Sequence, residues 1–242
     1  FISYILSIFL ITFLLVIFLW FIKPSLSGRN FLVSPLPDSL TSYLNNEVST
    51  LNLWFPSVVI GSLFSKEPVI GTKSAVVYDL TTEKLLYEKN KDERLPMASL
   101  TKITTAIIAL ENKKEDDSYV VSQKDLVGEN SMGLTAGEVL TLEELLYGLL
   151  LPSGNDAAET LASNYPEGRE EFIKAMNNKA KALGLTNTNF TNPSGLEGDG
   201  DQYTTAQDLL VITRYALENF AEFRKVVSTY EHVIPYNSNH KA

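Results

Sequence analysis

The residues of this chain with the clearest potential for chemistry are Ser99 and Lys102, three positions apart in segment 95–106 (L-P-M-A-S-L-T-K-I-T-T-A). Residues i and i+3 share one face of a helix, with Cβ atoms ~5–6 Å apart, so a neutral Lys102 amine could remove the proton of the Ser99 hydroxyl. The apolar stripe that continues this pattern consists of Ile103, Ala106, Ile107 and Leu110. Burial on such a face lowers a lysine pKa toward the range of a general base. The spacing therefore predicts a serine nucleophile activated by a lysine.

The S-x-x-K pattern is weak by itself, because it occurs often by chance. A second match, Ser238 with Lys241, lies in a polar segment without an apolar period and indicates no chemistry. For Ser99 and Lys102, the simpler interpretation is an ordinary helix N-terminus with a lysine whose amine reaches solvent. Other motifs in the chain must decide between the two interpretations.

A polar turn, Ser153-Gly154-Asn155, lies downstream between two helical patterns. The simpler interpretation is a connection in which Ser153 or Asn155 caps a helix. In this order and context, however, S-x-x-K followed by S-x-N resembles the D-alanyl-D-alanine carboxypeptidases among the low-molecular-mass penicillin-binding proteins. The resemblance favours the chemical interpretation of both motifs.

The similarity to this family runs from about Val69 onward. It includes the strand pair before the nucleophile and the segments 192–196 (N-P-S-G-L) and 202–206 (Q-Y-T-T-A). The third motif of the family, K-T-G, has no counterpart after the S-x-N turn. We expect a K-[ST]-G strand to follow Ala242 in the native gene, and we expect the chain of 242 residues to be inactive without it.

The resemblance implies a role for each motif residue. Ser99 would attack the carbonyl of the penultimate D-alanine of a peptidoglycan stem peptide, and its backbone N–H would form half of the oxyanion hole. Lys102 would be the base, and Ser153 would relay a proton to the leaving amine. Asn155 would hold the substrate backbone. β-Lactams would act as inhibitors by acylating the same serine.

The spacing of apolar residues changes along the chain and predicts the strands and helices that position these residues. Two apolar runs, 74–80 and 84–90, flank T-T-E and predict a β-hairpin. Thr141 with Glu144 predicts a capping box at the start of a helix. Further helices are predicted from about 156 to 163, from about 168 to 183 with Gly184 as C-cap, and from Thr205 onward. This order implies a mixed α/β (α+β) fold, with the antiparallel sheet of the β-lactamase/transpeptidase fold beside a helical subdomain.

Three segments are predicted. Residues 1–22 carry no charge and are almost wholly apolar, which at ~1.5 Å per residue spans a bilayer core and predicts a transmembrane anchor. Residues 23–68, with scattered prolines, are a predicted stalk. Residues 69–242 form the predicted serine D,D-peptidase domain, incomplete at its C-terminus. We expect a single-pass membrane protein with this domain on the extracytoplasmic side, because the substrate that the resemblance implies is outside the cell.

Composition excludes several other function classes. The chain has no cysteine, which excludes disulfides and thiolate catalysis. Its two histidines, His232 and His240, lie near the C-terminal end, where we expect solvated loops rather than a catalytic triad or metal site. A net charge of −9 argues against nucleic acid as a partner. We expect neither a metal nor a cofactor.

Other functions of the same fold stay open at this stage. A class A β-lactamase needs a glutamate for deacylation, and segment 188–194 contains no carboxylate, with Glu197 the nearest candidate. A D,D-endopeptidase would differ only in pocket walls that the sequence does not reveal. A non-catalytic penicillin-binding-like sensor or scaffold would keep the fold and lack the third motif.

Overall fold

The computed structural model describes residues 68–197 and 200–235. The predicted anchor, all but the last residue of the predicted stalk, His240 and the second S-x-x-K match lie outside these residues. Within the described part of the chain, no helix combines the length and apolar character needed to cross a membrane.

The predicted hairpin is confirmed and forms an antiparallel sheet of two strands, β1 (Ala75–Asp79) and β2 (Lys84–Lys89). Asp79 closes the turn, because its carboxylate accepts hydrogen bonds from the Thr81 amide at 2.8 Å and the Thr82 hydroxyl at 2.6 Å. A second, smaller antiparallel pair joins β3 (Tyr119–Val120) to β4 (Val139–Leu140). The sequence analysis did not predict this second pair.

Six α-helices complete the described fold. They are α1 (Thr101–Glu111), α2 (Leu142–Leu150), α3 (Asn155–Ser163), α4 (Arg169–Ala182), α5 (Ala206–Asn219) and α6 (Ala221–Val227). The capping box of α2 is present: the Thr141 hydroxyl accepts from the Glu144 amide, and the Glu144 carboxylate accepts from the Thr141 amide at 2.8 Å. The predicted bounds of α3 and α4 are correct to within one residue, whereas α6 was not predicted.

Helix α1 is the centre of the helical part, because it contacts α2, α3, α4 and α5. The expectation of a single apolar face on this helix is therefore only partly right. Ile103 and Leu110 are half-buried, whereas Thr104, Thr105 and Ile108 are buried. A helix surrounded on most sides buries residues outside its apolar stripe. The catalytic candidates thus lie at the start of a helix that is packed against four other helices.

The hairpin lies beside the helices through contacts between β1 and α5. Arg214 of α5 joins the two parts: its guanidinium donates to Glu83 in the hairpin turn at 2.9 Å and contacts the Tyr78 hydroxyl at 3.3 Å. The result is a mixed α/β fold in which α5 contacts both the strand pair and α1.

Candidate active site

Ser99 lies in a short 3-10 helix, Ala98–Leu100, that leads directly into α1. The predicted nucleophile therefore lies two residues before the α-helix and is exposed to solvent, whereas Lys102 in the first turn of α1 is only 2 % exposed. The Ala98 carbonyl accepts a hydrogen bond from the Thr101 hydroxyl at 2.8 Å. This arrangement places an accessible hydroxyl above a buried amine.

The Lys102 amine contacts three oxygen atoms. Its Nζ lies 3.2 Å from Ser99 Oγ, 2.7 Å from Asn155 Oδ1 and 2.8 Å from the Ser194 carbonyl oxygen. The structure thus brings together three of the four predicted site residues. Ser194 is an additional member of the cluster.

The environment of Lys102 favours the neutral amine more than water does. Burial lowers the Lys102 pKa from 10.5 to about 8, and the nearby Asp156 carboxylate opposes part of that decrease. A neutral amine has two N–H donors and one lone pair. If the N–H groups point to Asn155 and Ser194, the lone pair faces the Ser99 hydroxyl. This geometry can accept the proton of a serine nucleophile.

The orientation of the Asn155 amide is determined by contacts at both of its ends. Asn155 starts α3 and is 2 % exposed. Its Nδ2 donates to the Glu129 carbonyl at 2.8 Å, and its backbone N–H donates to the Asn130 carbonyl at 2.7 Å. Because Nδ2 has this acceptor, Oδ1 faces Lys102. The predicted contact of Asn155 with a substrate stays a prediction.

Ser153 has an unusual conformation in the same turn. Its φ angle is +61°, in the left-handed region, and its Oγ is buried without a hydrogen-bond partner among the described residues. The structure therefore does not join Ser153 to Lys102 by a direct hydrogen bond. A buried, unpaired hydroxyl is rare in folded proteins. The predicted relay role of Ser153 stays a prediction.

The segment 192–196 contributes to the site through backbone atoms that the sequence analysis did not identify. The Thr105 hydroxyl donates to the Pro193 carbonyl at 2.6 Å, next to the bond from Lys102 to Ser194. Gln202 joins this segment to the nucleophile turn, because its Nε2 donates to the Thr101 hydroxyl at 3.0 Å and its Oε1 accepts from the Asn192 amide at 3.1 Å. The family resemblance of this segment was the signal that could have identified it.

His232 stacks on Tyr147 with ring centroids 3.6 Å apart and is exposed, as expected for a loop histidine. Within the described residues, no group of three or more histidine, aspartate or glutamate side chains could hold a metal ion.

Comparison with known protein families identifies the family of this chain. The sequence model of the peptidase S11 family, described as D-alanyl-D-alanine carboxypeptidase, matches residues 63–241. The chain belongs to this family. The peptidase S11 membership confirms the resemblance that the S-x-x-K and S-x-N motifs indicated.

Individual proteins agree with this S11 assignment. The chain is 38 % identical over 175 residues to the D-alanyl-D-alanine carboxypeptidase DacF of Bacillus subtilis. The aligned region covers 70 % of this chain and 44 % of that protein. It is 35 % identical over 173 residues to a D-alanyl-D-alanine endopeptidase of Pseudomonas aeruginosa, covering 70 % of this chain and 54 % of that one. The chain thus spans about half the length of these curated relatives.

A solved structure shows the same fold. The crystal structure of a D-alanyl-D-alanine carboxypeptidase from Mycobacterium tuberculosis is similar with a TM-score of 0.67 and 33 % sequence identity. The similarity covers 76 % of this chain and 70 % of that chain. The predicted penicillin-binding, transpeptidase-like fold is therefore confirmed for the part of the chain that aligns.

Proposed function

We propose that this protein is a serine D-alanyl-D-alanine carboxypeptidase that removes the terminal D-alanine from peptidoglycan stem peptides. The observation that carries the proposal is the position of the Lys102 amine, within 3.2 Å of Ser99 Oγ and bonded to Asn155 and Ser194. Membership in the S11 family supports the same reaction. The two lines of support differ in kind, because one is local geometry and the other is sequence similarity along most of the chain.

The first half-reaction forms an ester on Ser99. Ser99 Oγ bonds to the carbonyl carbon of the penultimate D-alanine while its proton moves to the Lys102 Nζ. The carbonyl oxygen takes the negative charge, and the Ser99 backbone N–H is one donor that stabilises it. The peptide C–N bond then breaks, and the proton passes from Lys102 by way of Ser153 to the leaving D-alanine amine.

The second half-reaction releases the shortened peptide. Water adds to the ester carbonyl, and the oxygen of Ser99 recovers a proton as the ester bond breaks. Lys102 can serve in both half-reactions because its pKa of about 8 lies near physiological pH. An ordinary exposed lysine, with a pKa of ~10.4, would be protonated almost completely there.

The test is a release assay with the protein expressed from its complete gene. A synthetic peptide ending in D-Ala-D-Ala should yield one equivalent of free D-alanine, and the same peptide ending in L-Ala-L-Ala should not react. A β-lactam should add its full mass to the wild type and nothing to Ser99→Ala, as measured by intact-protein mass spectrometry. An adduct that persists in Ser99→Ala, or a wild type without adduct or turnover, refutes the proposal, and the latter result favours a non-catalytic sensor or scaffold.

A second candidate function is D,D-endopeptidase activity on peptidoglycan cross-links. The observation that favours it is the 35 % identity to the Pseudomonas aeruginosa protein named D-alanyl-D-alanine endopeptidase. The same acyl-enzyme would form, but the leaving amine would belong to a neighbouring stem peptide. Cleavage of a cross-linked muropeptide dimer faster than release of D-alanine from a monomer would assign this function.

We further propose that residues 1–22 anchor the protein in the membrane with the peptidase domain on the extracytoplasmic side. The uncharged, apolar composition of this segment and the external location of peptidoglycan support this arrangement. Protease added to spheroplasts should remove the domain while a cytoplasmic marker stays intact. A domain found in the soluble fraction, or protected until the membrane is broken, would refute it.

A further inference from the structure

Asp156 is a buried carboxylate directly after the S-x-N turn that the proposed reaction does not use. It is 1 % exposed and lies in the first turn of α3. It accepts hydrogen bonds from five donors: the backbone amides of Met132, Gly133, Leu134 and Ala157 at 2.9–3.2 Å, and the Ser131 hydroxyl. A buried charge is tolerated only with such complete partnering.

Four of these five donors belong to one segment, 131–134, and the residues just before it contact Asn155. Asn155 donates to the carbonyls of Glu129 and Asn130, whereas Asp156 accepts from the N–H groups of 132–134. Two consecutive residues of α3 therefore bind one loop, Asn155 through the carbonyl groups of the loop and Asp156 through its N–H groups. This loop in turn supplies the acceptor that turns the Asn155 Oδ1 toward Lys102.

We propose that Asp156 is a positioning residue for the Ser99–Lys102 pair: its carboxylate holds segment 131–134 on α3 and thereby keeps the Asn155 amide directed at Lys102. An asparagine at this position could not replace it, because an NH2 group cannot accept from the Gly133 and Leu134 amides.

The charge of Asp156 has a second effect on the same pair. Asp156 is the ionised side chain whose charge acts on the Lys102 amine, and it raises the Lys102 pKa against the larger effect of burial. Its removal should therefore let the Lys102 pKa fall further. The effect on acylation rests on the proposed function, whereas the loop contacts and the Lys102 titration are properties of the folded chain.

The test compares Asp156→Asn with Asp125→Asn in the protein expressed from its complete gene. Asp125 is a matched control, because it is also buried and bonds to the other end of α3, accepting from the Ser163 hydroxyl at 2.9 Å. Three quantities are measured: the titration midpoint of the Lys102 amine by NMR with labelled lysine, hydrogen exchange of amides 132–134, and the acylation rate by a fluorescent penicillin.

For Asp156→Asn we expect a Lys102 midpoint below that of the wild type and exchange at 132–134 at least ~10-fold faster. At about pH 9.5, where the Lys102 amine is mostly neutral in both proteins, we expect acylation ~10–100-fold slower. Asp125→Asn should change none of the three. An unchanged midpoint, unchanged exchange or unchanged acylation in Asp156→Asn overturns the proposal, as does an equal response of the control. A wild type that is not acylated refutes the proposed function instead, and the midpoint and exchange then decide on Asp156.

Ser131→Ala covers the case in which Asp156→Asn does not fold. It removes one donor to the carboxylate and leaves the charge in place. Exchange at 132–134 should become faster and acylation slower, while the Lys102 midpoint stays at its wild-type value. Unchanged exchange, or faster exchange with an unchanged acylation rate, overturns the positioning role.

Discussion

The Nζ of Lys102 lies 2.7 Å from the Oδ1 of Asn155, although the two residues are 53 positions apart in the chain. This contact joins α1, the helix that follows Ser99, to α3, the helix that starts in the S-x-N turn. It also affects the orientation of the amine, because one N–H group of Lys102 is directed at Asn155 and away from Ser99. The predictions below depend on this contact and on the burial that surrounds it.

Lys102→Arg should be nearly as inactive as Lys102→Ala. A guanidinium keeps its proton in the working pH range and cannot accept one from Ser99, so a positive charge alone should not restore acylation. The measurement is the rate of β-lactam acylation of each variant. If Lys102→Arg stayed within about tenfold of wild type, a difference of only ~1.4 kcal/mol, Lys102 would be an electrostatic partner and another group the base.

Acylation should depend on pH through the Lys102 amine. Because the Lys102 pKa is about 8, only ~10 % of the amine is neutral one pH unit lower. The acylation rate should rise about tenfold per unit at low pH and level off above about pH 8. Stopped-flow measurement with a fluorescent β-lactam between pH 5.5 and 9.5 checks this. A flat profile over that range would show that Lys102 is not the titrating base.

The same titration should appear in folding stability. The folded protein releases the Lys102 proton at about pH 8, whereas the unfolded chain holds it to the ordinary value of 10.5. Between these values the unfolded state binds more protons, so this group makes the free energy of unfolding increase with pH. Urea unfolding at pH 7.5, 9 and 10.5 should show a smaller increase for Lys102→Met than for wild type. Equal slopes would contradict a lowered pKa.

Asn155→Asp should move the pH profile toward higher pH. The new carboxylate lies against the Lys102 amine and favours its charged form, and it cannot donate to the Glu129 carbonyl, which Asn155 does at 2.8 Å. Acylation at pH 7 should therefore fall more than acylation at pH 9.5. Asn164→Asp, on the far end of α3 and bonded to Val120, is the control and should keep the wild-type profile. An unshifted midpoint for Asn155→Asp would contradict the contact.

Gly195→Ala should destabilise the domain and slow acylation. A Cβ at Gly195, where φ is +89°, would lie 1.9 Å from the Ala98 carbonyl oxygen and 3.0 Å from the Ser99 amide. Backbone atoms cannot move aside cheaply, so we expect a loss of ~3 kcal/mol or more. Gly168→Ala is a control with the same φ and nothing within 4 Å. Its ψ of −168° belongs to a region that glycine alone ordinarily adopts, so we expect a loss of ~1–3 kcal/mol from backbone strain alone. Urea unfolding measures both, and equal losses would refute the close approach.

Features that depend on local spacing could be predicted from the amino-acid sequence. Ser99 and Lys102 share a helical face at i and i+3, Thr141 and Glu144 form a capping box, and the bounds of α3 and α4 were predicted to within one residue. These features depend on residues within one helical turn of each other, which a sequence displays directly. The order of the motifs likewise identified the family.

The surroundings of the Lys102 amine could not be predicted from the sequence and are known from the folded structure. The contact between Lys102 and the Ser194 carbonyl could not be predicted from residue type, because every residue carries a backbone carbonyl. The direction of the Asn155 amide depends on a carbonyl at Glu129, 26 positions earlier. The Lys102 pKa of about 8 depends on burial, and α1 is packed against four other helices. The apolar stripe of α1 was enough to predict that the Lys102 pKa is lowered. It did not predict the burial of Thr104, Thr105 and Ile108, because that burial comes from helices distant in sequence. Long-range packing, rather than local propensity, creates the environment of the proposed nucleophile and base.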